Sequence, residues 1–338
     1  MKKRILEIDL LRPCFVLFII CCHFSVCYMQ YEIGGFHNFL YKWWNVDFGQ
    51  LATVGFFVIS GWMLGNAGEG GIVYLKKRAA RIFPIFYVCY LICFPYQAYM
   101  HGSILYNGSP LRFIWTLLGI DYYVGGSFPT YAIVGEWFTG AIIILYLLYP
   151  LLDYLQRKIP TTATIVIVAL YLINAYQRPL IHFNGTESIF QDILPFFVGM
   201  MLVRKRVEHI DTRWFLVPLV FLIIVPNKLF SPLNALIIVL LGSLALETIP
   251  DSVKEKITGN IAWKFFNKYS YPIYLLHHQI IYFVMKRYRG TNLSTIKSIS
   301  LLILCVGLSA IAAVLITDIL KVLKYFLKFI VLKKGEKI

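Results

Sequence analysis

The first apolar stretch of the chain, from about Glu7 to Tyr28, carries Asp9, Arg12 and His23 among Leu, Ile, Phe, Val and Cys. A run this long and apolar reads as a membrane-spanning helix. An ionisable group inside such a helix costs about 2.5–3.5 kcal/mol on insertion scales, so function is its default explanation. Eleven residues at about 100° each return Arg12 and His23 to within roughly 20° of one another, about 16 Å apart along the axis. Asp9 lies roughly 60° from Arg12, so the three share a face unless Pro13 kinks the helix. An imidazole at that depth suits proton transfer near neutral pH, and a guanidinium suits an anionic group. The ordinary alternative is an Asp9–Arg12 pair anchored at the interface, with the histidine packed on a neighbour.

Three other places could carry chemistry. Val54–Trp62 contains Gly55, Ser60 and Gly61, small residues that allow close helix approach, with a hydroxyl able to donate across helices. Lys76-Lys77-Arg78-Ala-Ala-Arg81-Ile-Phe-Pro84 puts Arg78 and Arg81 three apart on one side of a helix, a double guanidinium suited to phosphate oxygens. A basic loop is, without other context, mostly a topology signal. Tyr269–Gln279 places His277 half-way through an apolar run, where a polar ring needs a bonding partner. His277, His278 and His23 could suggest zinc, but no carboxylate or Cys pair lies at ligand spacing, so no metal is expected.

The elements that must position these residues are helices. At 338 residues, 59% hydrophobic and 14% charged, with a mean hydropathy of +0.70, the composition excludes a soluble protein. Apolar runs recur near 7–28, 46–66, 82–100, 131–152, 161–178, 189–204, 213–227, 230–248, 269–286 and 297–320. They predict an all-α polytopic membrane protein of about ten transmembrane helices in one domain over 1–338, with no appended soluble domain. Asn227 and Lys228 would form a very short turn, and Leu111–Ile120 is too short to span and would lie on or dip into the outer face. The first run is too long for a signal peptide and lacks a small-residue cleavage site, so it would stay as a signal anchor. The seven cysteines, without CxxC pairing, read as small buried apolar residues.

The net charge of +15 is topology rather than a nucleic-acid footprint. With ten spans and an inner amino terminus, inner segments hold 23 of the 32 basic residues. That positive-inside pattern puts both termini in the cytoplasm, with Lys286, Arg287 and Arg289 running against the trend. The segment from His101 to Tyr131 becomes the largest outer loop. Tyr41, Trp43, Trp44, Tyr122 and Tyr123 could stack on sugars, but read more simply as an interfacial aromatic belt.

Asp9-Leu-Leu-Arg12 followed ten residues later by His23 resembles the opening signature of the membrane-bound acyltransferase-three family. So do Phe56-Phe57-Val-Ile-Ser60-Gly61, Arg78-Ala-Ala-Arg81-Ile-Phe-Pro84, Trp137-Phe138 with Tyr146-Leu-Leu-Tyr149-Pro150, and Ser270 to His277. Each is loose alone, but together, in this order, they cover almost the whole chain. The resemblance implies O-acetylation: an acyl group, acetyl by preference, moved from acyl-CoA to a hydroxyl of a cell-surface or lipid-linked saccharide of the bacterial cell envelope. It implies the bacterial cytoplasmic membrane, acetyl-CoA or another acyl-CoA as donor substrate, and no permanently bound cofactor.

By the same resemblance His23 is the essential histidine, with Arg12 and Asp9 beside it, and Arg78 and Arg81 hold the donor. His277, Ser60, Ser270, Tyr274, Glu136 and Trp137 become candidate contacts to the acceptor or the oxyanion. One position departs: some relatives carry a carboxylate five residues after the tryptophan, where this chain has Ile142, and Glu136 would have to substitute. A transporter or flippase would also fit intramembrane charges, but transporters more often show repeated halves with matching broken helices, and none is present. A non-catalytic relative acting in polysaccharide export would not need both Arg12 and His23.

Overall fold

The computed structural model describes residues 5–35, 41–43, 46–65, 72–121, 128–177, 189–204 and 231–335. Its helices are α1 Leu6–Gln30, α2 Phe48–Gly65, α3 Ile72–Met100, the short α4 Phe113–Leu118, α5 Glu136–Lys158, α6 Pro160–Gln177, α7 Ile189–Arg204, α8 Ser231–Glu247, α9 Asp251–Gly259, α10 Ile261–Met285 and α11 Thr295–Gly335. The only described sheet is a two-residue hairpin, β1 Lys42–Trp43 antiparallel to β2 Val46–Asp47, with Trp43 opposite Val46. Asp47 Oδ1 accepts the Gln50 N–H at 2.6 Å, satisfying one of the free donors at the start of α2.

Every expected apolar run falls on a helix except 213–227, which lies outside the described residues with the Asn227–Lys228 turn, Trp44, Tyr122 and Tyr123. Four boundaries move. Helix α3 begins at Ile72 rather than 82, because Lys76–Arg81 are good helix formers and nothing before Pro84 breaks the turn. Helix α5 begins at Glu136 rather than 131, after Gly135 at φ 72°. Helix α10 begins at Ile261, capped by the Asn260 side chain accepting from Ala262 N, and α11 runs on to Gly335. Between His101 and Tyr131 a 3₁₀ turn at Pro110–Arg112 and α4 end at Gly119, whose φ of 71° is the left-handed stop that glycine supplies.

Five described helices are long and apolar enough to cross a membrane: Leu6–Gln30, Phe48–Gly65, Val73–Met100, Glu136–Lys158 and Thr295–Phe326. A sixth is added if Pro232–Glu247 and Asp251–Gly259, bent by 110°, form one broken span. The chain is thus a multi-pass, all-α membrane protein. One apolar core runs from Ile8 to Ile316.

Two glycines set the closest packing in that core. A Cβ on Gly61 would stand 1.9 Å from the Phe196 carbonyl oxygen, and one on Gly199 would stand 2.1 Å from that of Val58. Helices α2 and α7 therefore touch backbone to backbone, as small residues at an interface permit. Helices α1 and α10 run parallel. At one end Trp263 and Asn267 donate to the Asp9 carbonyl at 3.0 and 2.6 Å. Beside that end Lys254, only 3% exposed, is held by Glu7 and by Asp251 at 3.0 Å, tying α9 to α1. At the other end Gly34 bridges to Asn292, closing the loop after α1 onto the turn before α11.

Candidate active site

Parallel α1 and α10 meet through two side-chain contacts in the same register. Arg12 on α1 donates to Asn267 on α10 at 3.5 Å, and eleven residues further along each helix His23 Nδ1 lies 2.6 Å from His278 Nε2. Eleven residues complete about three turns, so both pairs share one interhelical seam, about 16 Å apart. Pro13 leaves α1 continuous and does not disturb this register.

The Arg12 end opens into a cavity of about 540 Å³. Arg12, Arg78, Arg81, Lys268, Lys321 and Lys324 line it, and among the described residues no carboxylate does. Arg12 also contacts Met63 Sδ at 3.2 Å, and Asp9 stands at 3.9 Å, an ion pair too long for a hydrogen bond. Arg78 lies over the Tyr146 ring at 5.6 Å. Ser60, Ser270, Tyr271, Tyr274 and the apolar side chains of Phe56, Phe138 and Ile142 complete the wall. Such a cavity attracts a ligand with phosphate groups and an apolar or uncharged arm.

Tyr274 and Phe138, whose ring centroids are 4.9 Å apart, are part of the cavity wall. Behind Tyr274, with its ring 5.6 Å away, lies His277. His23, His277 and His278 bring one ring nitrogen each to within 4.8 Å of the others, and among the described residues no carboxylate or thiol joins them. His277 is fully buried, its Nδ1 sits 2.5 Å from the Tyr274 carbonyl, and its Nε2 has no hydrogen-bond partner. A carbonyl only accepts, so in neutral His277 the proton is on Nδ1 and Nε2 is a bare lone pair. It is therefore built to accept a proton or a hydroxyl hydrogen bond, and neutral His277 cannot donate to an oxyanion through Nε2.

The structure does not unite all the residues the sequence singles out. Arg12, Ser60, Arg78, Arg81, Ser270 and Tyr274 line the cavity, whereas His23 and His277 are not on its wall. Ser60 makes no interhelical hydrogen bond among the described residues and faces the cavity instead. Ser270 donates to its own helix at Asn267 O, 3.3 Å away. Tyr274 donates to Gly135 O at 3.3 Å. Glu136, 4% exposed, is absent from the cavity wall: its Oε1 accepts the N–H groups of Ile133 and Val134 at 2.5 and 2.8 Å. Both contacts fall on Oε1 and hold the tight turn just before α5. Trp137 lies beside Phe138 and also stays off the wall, while Ile142 is on it.

Asn267 was missing from the sequence reading, and His278 entered it only as a zinc ligand set aside for want of a carboxylate or Cys pair. Their eleven-residue spacing repeats that of Arg12 and His23, and this was the available signal. It is lost when the tenth described helix is started at 269 instead of 261. Lys268, Lys321 and Lys324 also join the site, having read only as topology charges.

With this geometry in hand, comparison with known proteins is specific on one point. The acyltransferase-three family model, an acyltransferase domain, matches residues 5–318, nearly the whole chain. The protein belongs to that family and is a membrane acyltransferase by descent. No curated protein and no solved structure matches it.

Proposed function

We propose that this acyltransferase moves an acyl group, acetyl by preference, from acyl-CoA to a hydroxyl of a cell-surface or lipid-linked saccharide. The observation that carries the reading is one cavity with six cationic side chains and an aromatic pair at its walls, with three histidines converging behind Tyr274. Acyl transfer to an alcohol needs a base, a place for the developing oxyanion and a grip on the donor. The cations would take the donor's phosphates, with Arg78 and Arg81 as the principal clamp. The span of about 16 Å from Arg12 to His23 is of the same order as an extended pantetheine arm, which would thread past Tyr274 and Phe138.

In the reaction, His23 Nε2 takes the proton of the acceptor hydroxyl as that oxygen bonds to the thioester carbonyl carbon. The C–S bond then breaks, and the departing thiolate receives the proton back. Arg12, held by Asn267 and near Asp9, orients the donor at the head of its arm. The His277 lone pair accepts from a second hydroxyl of the acceptor and orients it, while Ser60 and Ser270 face the donor. This assignment leaves Glu136 and Trp137 as support for the turn before α5.

The chain would act as a single domain of ten spans in the bacterial cytoplasmic membrane, with both termini inside. The donor would enter from the cytoplasm, and the acceptor would meet the histidines from the far side. The test is transfer from radiolabelled acetyl-CoA in membranes carrying the intact protein or His23→Ala. Label in a saccharide or lipid fraction only with the intact protein is the expected result. Equal transfer by the variant would overturn the base. No transfer from either acetyl-CoA or succinyl-CoA by the intact protein would overturn the donor and favour transport.

A further inference from the structure

We infer that His278 is the positioning residue of the reaction: its Nε2 accepts the His23 Nδ1–H and shares the charge when His23 takes a proton. The inference rests on the acyltransferase reading above and adds a residue to it. The contact is 2.6 Å long, with the rings edge to edge at 60° and centroids 3.6 Å apart. Either ring could donate across it, and the inferred sense sets what His23 can do: with Nδ1 as donor, the lone pair is on Nε2, the ring nitrogen left to face a substrate hydroxyl.

A buried base that takes a proton needs something to stabilise the resulting imidazolium. Histidine bases elsewhere commonly lean on a carboxylate for this. Among the described residues no carboxylate oxygen joins the cluster, and Asp9 is fourteen positions back along α1, near Arg12. His277 makes no hydrogen bond to the His23 ring among the described residues, its ring centroid standing 5.1 Å away. His278 Nε2 is left as the one described acceptor in hydrogen-bonding contact with the His23 ring. As the acceptor proton arrives at Nε2, the Nδ1–H···Nε2 bond becomes charge-assisted and about twice as strong. Both protons keep their places, so His278 gains and loses none over the cycle.

The same three rings could instead suggest a metal ion, and the separation of the closest pair favours the hydrogen bond. Two imidazole nitrogens on one tetrahedral zinc, each about 2.0–2.1 Å from it, stand roughly 3.3 Å apart. A separation of 2.6 Å is that of a hydrogen bond. The register argues the same way, since α10 places His278 opposite His23 by the same three-turn step that places Asn267 opposite Arg12.

The experiment compares intact protein with His278→Leu and His278→Gln, whose side-chain oxygen can still accept near the Nε2 position. The expected result is a fall in kcat of about a hundredfold for His278→Leu, within the range of acid–base assistance. The KM for acetyl-CoA should stay within about twofold, and His278→Gln should recover most of kcat. Unchanged kcat in His278→Leu, a loss confined to KM, or a Gln variant as slow as Leu would overturn the role.

A readout independent of turnover is ¹⁵N NMR of histidine-labelled intact protein, assigned with His23→Gln. His23 protonated at Nδ1 and bare at Nε2 supports the dyad, whereas the reverse tautomer refutes it. One equivalent of bound transition metal in the purified intact protein, lost in His278→Leu, would also refute it. Should His278→Leu fail to fold, the tautomer and the His278→Gln rate still decide the matter. Absence of transfer by intact protein alongside the expected tautomer would count against the acyltransferase reading and leave the dyad standing.

Discussion

Replacing both cavity arginines, Arg78→Gln with Arg81→Gln, separates a phosphate clamp from every other role these residues could have. Two unit charges about 5 Å apart at an effective dielectric of about 20 interact by about 3 kcal/mol. Arg81 is exposed, so water and salt reduce its share to about 1 kcal/mol. Arg78 is half-buried and seated on Tyr146, so about 2 kcal/mol is reasonable for it. Together the loss is about 3 kcal/mol, which raises the KM for acetyl-CoA on the order of a hundredfold. The matching assay uses an acetyl thioester of N-acetylcysteamine, which keeps the reacting group and lacks every phosphate. With that donor the double variant should work as fast as intact protein, and the salt sensitivity of the CoA reaction should fall. An equal loss with both donors would assign the arginines to chemistry or folding, and no loss with either would remove the clamp altogether.

Three further outcomes follow from the packing and the buried carboxyls. Gly61→Ala forces its new carbon from 1.9 Å to beyond 3 Å from the Phe196 carbonyl. It should cost about 1–3 kcal/mol in thermal unfolding in detergent, while Gly242→Ala, which meets nothing within 4 Å, should be neutral. Equal melting of the two would refute the close α2–α7 contact. Glu136→Gln keeps an oxygen for the Ile133 and Val134 N–H groups, so it should retain transfer and fold, whereas Glu136→Ala should unfold more readily. Loss of turnover in a stable Gln variant would return Glu136 to the chemistry. Burial pushes the Asp121 carboxyl up to about 6 from its usual 3.8, against the Thr116 hydroxyl donating at 2.6 Å. Its raised value stabilises the fold below about pH 4, and that contribution is lost as pH rises through about 6. Thermal stability should therefore decline over that window in intact protein and lose this decline in Asp121→Asn, and an identical slope in both would contradict it.

The sequence shows the helices because their signal is local: long apolar runs set them, and Gly119 or Asn260 ends or starts them by its own backbone chemistry. It also shows Arg12 and His23, since polar groups in an apolar run stand out one by one. Contacts between helices are another matter. Glu136 looks like a spare carboxylate until the two N–H groups of its own turn are seen to occupy it. Lys268, Lys321 and Lys324 look like topology charges, and they are also cavity wall, because a cation at a helix end serves both ends of one seam. His278 is the instructive case. In sequence it is the less notable twin of His277, and one step of 100° decides which ring meets α1.

That step also explains why the site divides as it does. Phosphate binding tolerates water and benefits from many cations, so it belongs at an open cavity lined by exposed side chains. Proton transfer gains from exclusion of water and needs few, fixed groups, so it suits the histidine cluster between α1 and α10, where His277 is fully buried. A single pair of parallel helices with polar residues three turns apart meets both demands, Arg12 and Asn267 at the cavity end, His23 and His278 at the other. Shifting either helix by one residue would break both pairs together, since each depends on the same register. An insertion of one alanine between Asn267 and His278 should therefore abolish transfer from CoA and from the phosphate-free thioester alike, while the arginine variants affect only the first. An insertion variant that still used the short donor would show that the two ends are independent and would dissolve the shared seam.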